Sequence, residues 1–146
     1  MLDKFIYRKN TTDENVMKEI LDKQAYRKKK LNFGISEDDV WLDGGAHIGI
    51  FGLYVAQNKG KKVYCYEPEE ENFQILSKNA SLINSTYNTQ IECFKYAINQ
   101  NGGTHQFTIA PNTWRHSLMT HYKKKLPTIE IAVSYTHLTL PTKVSV

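Results

Sequence analysis

The chain lacks several features that would assign it to a class at once. Its 146 residues include two cysteines, Cys65 and Cys93, which are too few for a disulfide scaffold, and no Cys/His cluster has zinc-site spacing. No apolar run approaches the roughly 18 residues that a membrane-spanning helix needs. Residues 1–4 show no signal-peptide pattern. We therefore expect a soluble, cytoplasmic chain of about one domain, with no metal site and no membrane contact.

Excess charge of one sign is confined to one end of the chain. Residues 1–30 hold nine Lys and Arg against five Asp and Glu, whereas residues 31–146 hold ten of each. A nucleic-acid reader carries a basic face with interleaved aromatic residues across its folded body. Because the body is neutral here, the sequence predicts no nucleic-acid partner. It also predicts a separate N-terminal unit over residues 1–30, which is basic and helical.

A helix is expected within this N-terminal unit. Thr11 and Glu14 have the spacing of a capping box, and Val16, Ile20 and Leu21 follow at helical intervals. The pattern predicts an amphipathic helix over residues 12–26 that braces the domain.

Strand and helix patterns alternate from residue 40 onward. Short apolar runs end in polar or turn residues, and the segments between them repeat apolar residues at intervals of three and four. Strands are predicted at 40–42, 63–66 and 91–98, and helices at 48–56 and 69–84. The uninterrupted apolar run at 40–42 is typical of a strand buried on both faces. The order predicts an α/β fold, a three-layer Rossmann-like arrangement with a mostly parallel sheet.

The alternation breaks after the third strand. Asn101-Gly102 is a tight-turn dipeptide, which predicts a hairpin between residues 96–98 and the alternating stretch 105–109. A short last strand is expected at 129–133. Residues 134–146 have no matching periodicity, so the sheet is expected to have an incomplete second half.

The candidate site is the glycine-containing turn at residues 43–49, DGGAHIG, between a strand and a helix. Ligands bind at this edge of a doubly wound sheet, where the helix presents free N–H groups and the positive end of its dipole. Glycines there permit close backbone approach. Glu67 ends the next strand, 24 residues after Asp43, which is the spacing expected of a carboxylate that holds a ribose diol. The combination predicts a cofactor that contains a nucleoside.

Charge distinguishes between possible nucleosides. A dinucleotide would place an anionic pyrophosphate on the glycine turn, beside the Asp43 carboxylate, and this contact is repulsive. The glycine spacing also departs from Gly-x-Gly-x-x-Gly. S-adenosyl-L-methionine has no phosphate and carries an ammonium and a sulfonium, so Asp43 would attract it. A nicotinamide-dependent oxidoreductase and a non-catalytic cofactor-binding fragment stay open as alternatives.

The same residues resemble the FkbM-type methyltransferases. The resemblance covers roughly residues 11–133. It is carried by VWLDGGAHIG at 40–49 and by Tyr66-Glu67-Pro68, followed by Asn72-Phe73, Leu76 and Asn79. It implies a class I, Rossmann-like methyltransferase that uses S-adenosyl-L-methionine, usually to methylate hydroxyls of sugars or natural products. The implied partner is therefore a small-molecule or glycan acceptor.

Site roles follow from the resemblance position by position. Asp43, Gly45 and Gly49 would line the methionine part of the cofactor, and His47 would contribute its backbone to the same turn. Glu67 would take the ribose hydroxyls. Pro68 would lie beside the adenosine, and Tyr96 and Ala97 would lie near the adenine.

The chain also departs from the family pattern. The family continues with a fourth parallel strand that ends in an acidic motif, which is absent here, and residues 134–146 resemble no part of the family. We therefore expect residues 31–133 to be the cofactor-binding half of the domain, and we expect this fragment to be inactive. His116 is a weak candidate for the catalytic base because it lies in a predicted loop over the cleft. The two cysteines are expected to be buried thiols without a catalytic role.

Overall fold

The computed structural model describes residues 2–22, 34–98, 103–108 and 128–134. A 3-10 turn at Leu2–Lys4 precedes three helices and six strands in these ranges. The helices are α1 (Thr12–Met17), which continues as a π-helical turn at Lys18–Asp22, α2 (Ile50–Gln57) and α3 (Glu70–Thr86). The strands are β1 (Val40–Gly44), β2 (Lys62–Tyr66), β3 (Gln90–Phe94), β4 (Ala97–Ile98), β5 (Gly103–Thr108) and β6 (Thr128–Ser134). None of the described helices is long and apolar enough to cross a membrane.

The first sheet has the order β1-β2-β3, and both of its strand pairs are parallel. Its inner face packs against α2 and α3, because Val63, Cys65 and Ile91 belong to the same buried cluster as the apolar side chains of these helices. The cluster also takes in Phe5 from the N-terminal segment. Three parallel strands joined through two helices are the repeating unit of Rossmann-like proteins. The predicted α/β, Rossmann-like class is confirmed.

The second sheet has the order β4-β6-β5 and corrects the hairpin predicted after the third strand. β6 lies between the two segments that were expected to pair with each other. It runs parallel to β4 and antiparallel to β5. Local turn chemistry favoured a direct hairpin, but a strand that comes later in the chain supplies the ladder partner for both segments. β6 also extends one residue beyond each end of its predicted range.

The single strand predicted at 91–98 is two strands in the structure. The ladder with β2 ends where the Glu67 amide donates to the Phe94 carbonyl at 3.1 Å. The chain then bends, and Ala97 and Ile98 pair with β6 instead. Ala97 is buried there. An apolar run has the same appearance whether one sheet or two bury it, so the sequence pattern gave no sign of the bend.

Two other predictions need correction. β1 is not buried on both faces, because Val40 is 47% exposed and the three central residues of the strand are half-buried. In the part of the chain that the structure describes, β1 has a ladder partner on one side, β2. The N-terminal helix is α-helical only to Met17 and then widens into the π-helical turn. Residues 23–26 of its predicted range lie outside the described residues, as does the boundary at residue 30.

The outer side of β3 is closed by one side chain of α3. Asn84 donates through Nδ2 to the Ile91 carbonyl at 3.0 Å and accepts from the Ile91 amide at 2.8 Å. The amide side chain thus supplies the donor and the acceptor that a further strand would otherwise provide. The backbone N–H and C=O of Ile91 need these partners, because a buried polar group without a hydrogen bond lowers the stability of the fold.

We expect Asn84→Ala to lower the free energy of unfolding by about 1–2 kcal/mol, because it removes two hydrogen bonds from the Ile91 backbone. Urea unfolding followed by circular dichroism measures the change. Asn88→Ala, at an exposed position just beyond the helix, is the control and should change stability by less than about 0.5 kcal/mol. Equal stabilities of the two variants would show that the Asn84 bonds add nothing.

Candidate functional site

The turn at 43–49 is fixed by the end of the neighbouring strand. The amides of Gly45 and Ala46 both donate to the Tyr66 carbonyl, at 2.8 and 3.0 Å. Gly45, His47 and Gly49 have φ values of 86°, 53° and 90°, in the left-handed region. The chain therefore coils tightly between β1 and α2, close to the end of β2.

Gly45 and Gly49 have different roles in this turn. A Cβ at Gly45 would meet no heavy atom of the described residues within 4 Å, so this side of the turn is open to an approaching molecule. A Cβ at Gly49 would lie 2.9 Å from Leu76 Cδ1. Gly49 is therefore needed for its positive φ and for close packing of the turn on α3.

Glu67 joins the turns that follow β1 and β2. Its Oε2 accepts from the His47 amide at 2.8 Å, and its Oε1 accepts from the Glu69 amide at 3.0 Å. The side chain is buried, at 4% exposure. Burial raises the pKa of Glu67, and these two backbone hydrogen bonds oppose the rise. Glu67, the residue predicted to bind the ribose, thus also links the backbone of the two turns.

Asp43 lies close enough to Glu67 for the two charges to interact. It is in register with Cys65 of β2, and Glu67 directly follows that strand. The residue is half-buried, but its Oδ2 is shielded from solvent and has no hydrogen-bond partner among the described residues. Burial, with a further contribution from the Glu67 charge, raises the pKa of Asp43 to about 7. A carboxyl group in this state gains from a bound cation.

The remaining predicted site residues lie at different depths. Pro68 and Ala97 are buried, whereas Tyr96 is 43% exposed, at the bend between the two sheets. His116, the candidate base, lies outside the described residues. Burial raises the pKa of the Cys65 thiol, and it raises that of Cys93 to about 11, so neither is an activated nucleophile.

Sequence reasoning missed a buried polar cluster behind the turn. Arg8 and Asp13 form an ion pair at 2.9 Å, and the His47 ring lies against both. Asn72, in the first turn of α3, accepts from Arg8 Nη2 at 2.7 Å. The capping box at Thr11 placed Asp13 in a first helical turn, but no spacing rule linked it to a histidine 34 residues later. Among the described residues, no group of three or more His, Cys, Asp or Glu side chains is arranged to hold a metal.

Comparisons with known proteins give one match. No family model matches the chain, and no curated protein matches it. The crystal structure of the methyltransferase FkbM from Methylobacillus flagellatus is similar at 23% identity and a TM-score of 0.46, over 54% of this chain and 22% of that chain. The matched part of the chain thus spans about a fifth of that protein's length.

The raised pKa of Asp43 predicts a pH-dependent effect of removing its charge. Between about pH 4, its ordinary range, and pH 7, the folded protein keeps the proton that the unfolded chain releases. The stabilisation that Asp43 gives is therefore full below about pH 4 and lost as the pH rises through 7. We expect Asp43→Asn, relative to wild type without ligand, to gain on the order of 2 kcal/mol of stability from pH 5 to pH 8.

Parallel urea titrations at several pH values test this. The control is Asp38→Asn, which removes one charge at an exposed position before β1. Its stability difference from wild type should stay constant across the range. If the Asp43→Asn difference were equally flat, the carboxyl would be an ordinary solvated one.

Proposed function

We propose that this chain holds the cofactor-binding half of an S-adenosyl-L-methionine-dependent methyltransferase domain of FkbM type. The observation that carries the proposal is the Asp43 carboxyl, which is buried at the end of β1 with one oxygen unpartnered among the described residues. Its chemistry suits a nucleoside that brings positive charge and no phosphate. The resemblance of residues 40–49 and 66–68 to FkbM-type sequences supports the same ligand.

The geometry of the turn supports a nucleoside cofactor in particular. Gly45, where a Cβ would meet open space, follows Asp43 by two residues, and the Glu67 charge is close enough to act on Asp43. In this proposal the ammonium and sulfonium of the methyl donor approach Asp43. The ribose approaches Glu67, whose carboxylate has four acceptor positions, of which the two backbone bonds and a bond from Asn72 use three.

The cofactor, when bound, would supply the methyl group for transfer to a nucleophile. The chain's own contribution is binding and orientation, which account for much of the rate of such a displacement. The acceptor class proposed from the resemblance is a hydroxyl of a small molecule or glycan. His116 stays a proposed base, and Tyr96 with Ala97 the proposed adenine neighbours.

A nicotinamide-dependent oxidoreductase is the competing enzyme class. Its cofactor would bring two phosphate charges to the turn beside Asp43 and Glu67. Two like charges a few ångströms apart in a half-buried site repel by several kcal/mol at an effective dielectric near 20. The acidic pair therefore favours the methyl donor over a dinucleotide.

Calorimetric titration with S-adenosylhomocysteine and with NAD, at pH 7.5, tests the proposal. We expect S-adenosylhomocysteine to bind more tightly than NAD. Asp43→Asn should weaken its binding by about tenfold, because the ammonium loses a charged partner. Asp38→Asn, with the same loss of formal charge at an exposed position, should leave the affinity unchanged. Tighter binding of NAD by the wild type would overturn the proposal.

A further inference from the structure

The N-terminal segment is fastened to the elements that form the candidate site. Phe5 is buried in the main core. Asn79 on α3 accepts from the Ile6 amide at 2.8 Å and donates to the Ile6 carbonyl at 2.9 Å. The same amide group donates to the Ile48 carbonyl at 2.8 Å. One buried side chain therefore ties the segment to the residue that follows His47.

Arg8 and Asp13 form an ion pair within this segment. Arg8 Nε and Nη2 donate to the two Asp13 oxygens at 2.9 and 3.1 Å, and the Arg8 amide adds a third hydrogen bond at 3.0 Å. Asp13 is fully buried. Burial raises the pKa of Asp13, but hydrogen bonds from His47 and Arg8 outweigh it and hold that pKa well below the usual range. The pair is thus rigid in geometry and firmly charged.

The ion pair contacts both the turn at 43–49 and the first turn of α3. Arg8 Nη2 lies 2.7 Å from Asn72 Oδ1, in the first turn of α3, and 3.2 Å from His47 Nε2. Asp13 Oδ1 lies 3.3 Å from the same His47 nitrogen. Arg8 and Asp13 therefore connect the turn after β1 with the helix after β2, through the His47 ring rather than its amide.

His47 is the residue of the turn that most needs to be held. It has a φ of 53°, and a side chain other than glycine adopts this left-handed conformation only where its surroundings enforce it. Glu67 holds the His47 amide at 2.8 Å, while Arg8 and Asp13 hold the ring. Losing the contacts to the ring removes one of the restraints on this conformation, beside the amide contact and the hydrogen bonds of the turn to Tyr66.

We propose that Arg8 and Asp13 are positioning residues, which act through His47 to hold the turn at 43–49 in the conformation that binds the nucleoside. This inference rests on the proposed function for the identity of the ligand. The N-terminal segment would thus affect how tightly the nucleoside binds, although Arg8 and Asp13 are not themselves part of the binding site.

The test compares variants of the full chain in two measurements, the Kd for S-adenosylhomocysteine and the hydrogen-exchange rate of the His47 amide. Arg8→Met should raise each by about tenfold, and Arg8→Lys, which keeps the charge but not the bidentate geometry, by less. The double variant Arg8→Met/Asp13→Leu leaves no buried charge uncompensated and so stays folded. It should show the same two changes as Arg8→Met.

Phe5→Leu is the matched control, because it removes core packing from the same segment without touching the ion pair. It should lower thermal stability and leave both the Kd and the His47 exchange rate unchanged. Unchanged values in Arg8→Met and in the double variant would overturn the inference. If the wild type bound no S-adenosylhomocysteine, the proposed function would fail instead, and His47 exchange would still decide whether the pair positions the turn.

Discussion

The structure of the site depends on two neighbouring carboxyl groups that are shielded from solvent at the ends of adjacent strands of a small parallel sheet. Hydrogen bonds from the His47 and Glu69 amides compensate for the burial of the Glu67 carboxylate. Asp43 differs, because its Oδ2 is shielded from solvent without a partner among the described residues. Burial, with a further contribution from the Glu67 charge, raises the pKa of Asp43. A ligand that carries positive charge therefore suits the site.

The N-terminal segment belongs to the same arrangement. Phe5 fills the core that α2 and α3 share with the sheet, and Asn79 binds the backbone of Ile6 on both its polar groups. The basic residues near this end therefore have more than one environment. Arg8 is only 17% exposed and binds a buried carboxylate, although the composition predicted only that this end of the chain is basic. Charge counts along a sequence do not show which member of a run enters the interior.

Local sequence patterns predicted most helices and strands, but they did not predict pairings that depend on residues far apart in the chain. The strand and helix positions from β1 to β3, and the turn and acid that bring Asp43 near Glu67, were predictable because apolar periodicity and glycine spacing are local. The bend after Phe94 and the insertion of β6 between β4 and β5 were not, since both depend on a strand some thirty residues later. The contact of His47 with Asp13 is likewise a product of tertiary packing.

Carboxyl 13C NMR titration of Asp43, in the free chain and with S-adenosylhomocysteine bound, measures the central claim most directly. The account predicts a midpoint near 7 in the free chain, which falls when the ammonium of the bound ligand lies beside Asp43. A midpoint near the ordinary value of about 4, unmoved by the ligand, would contradict it.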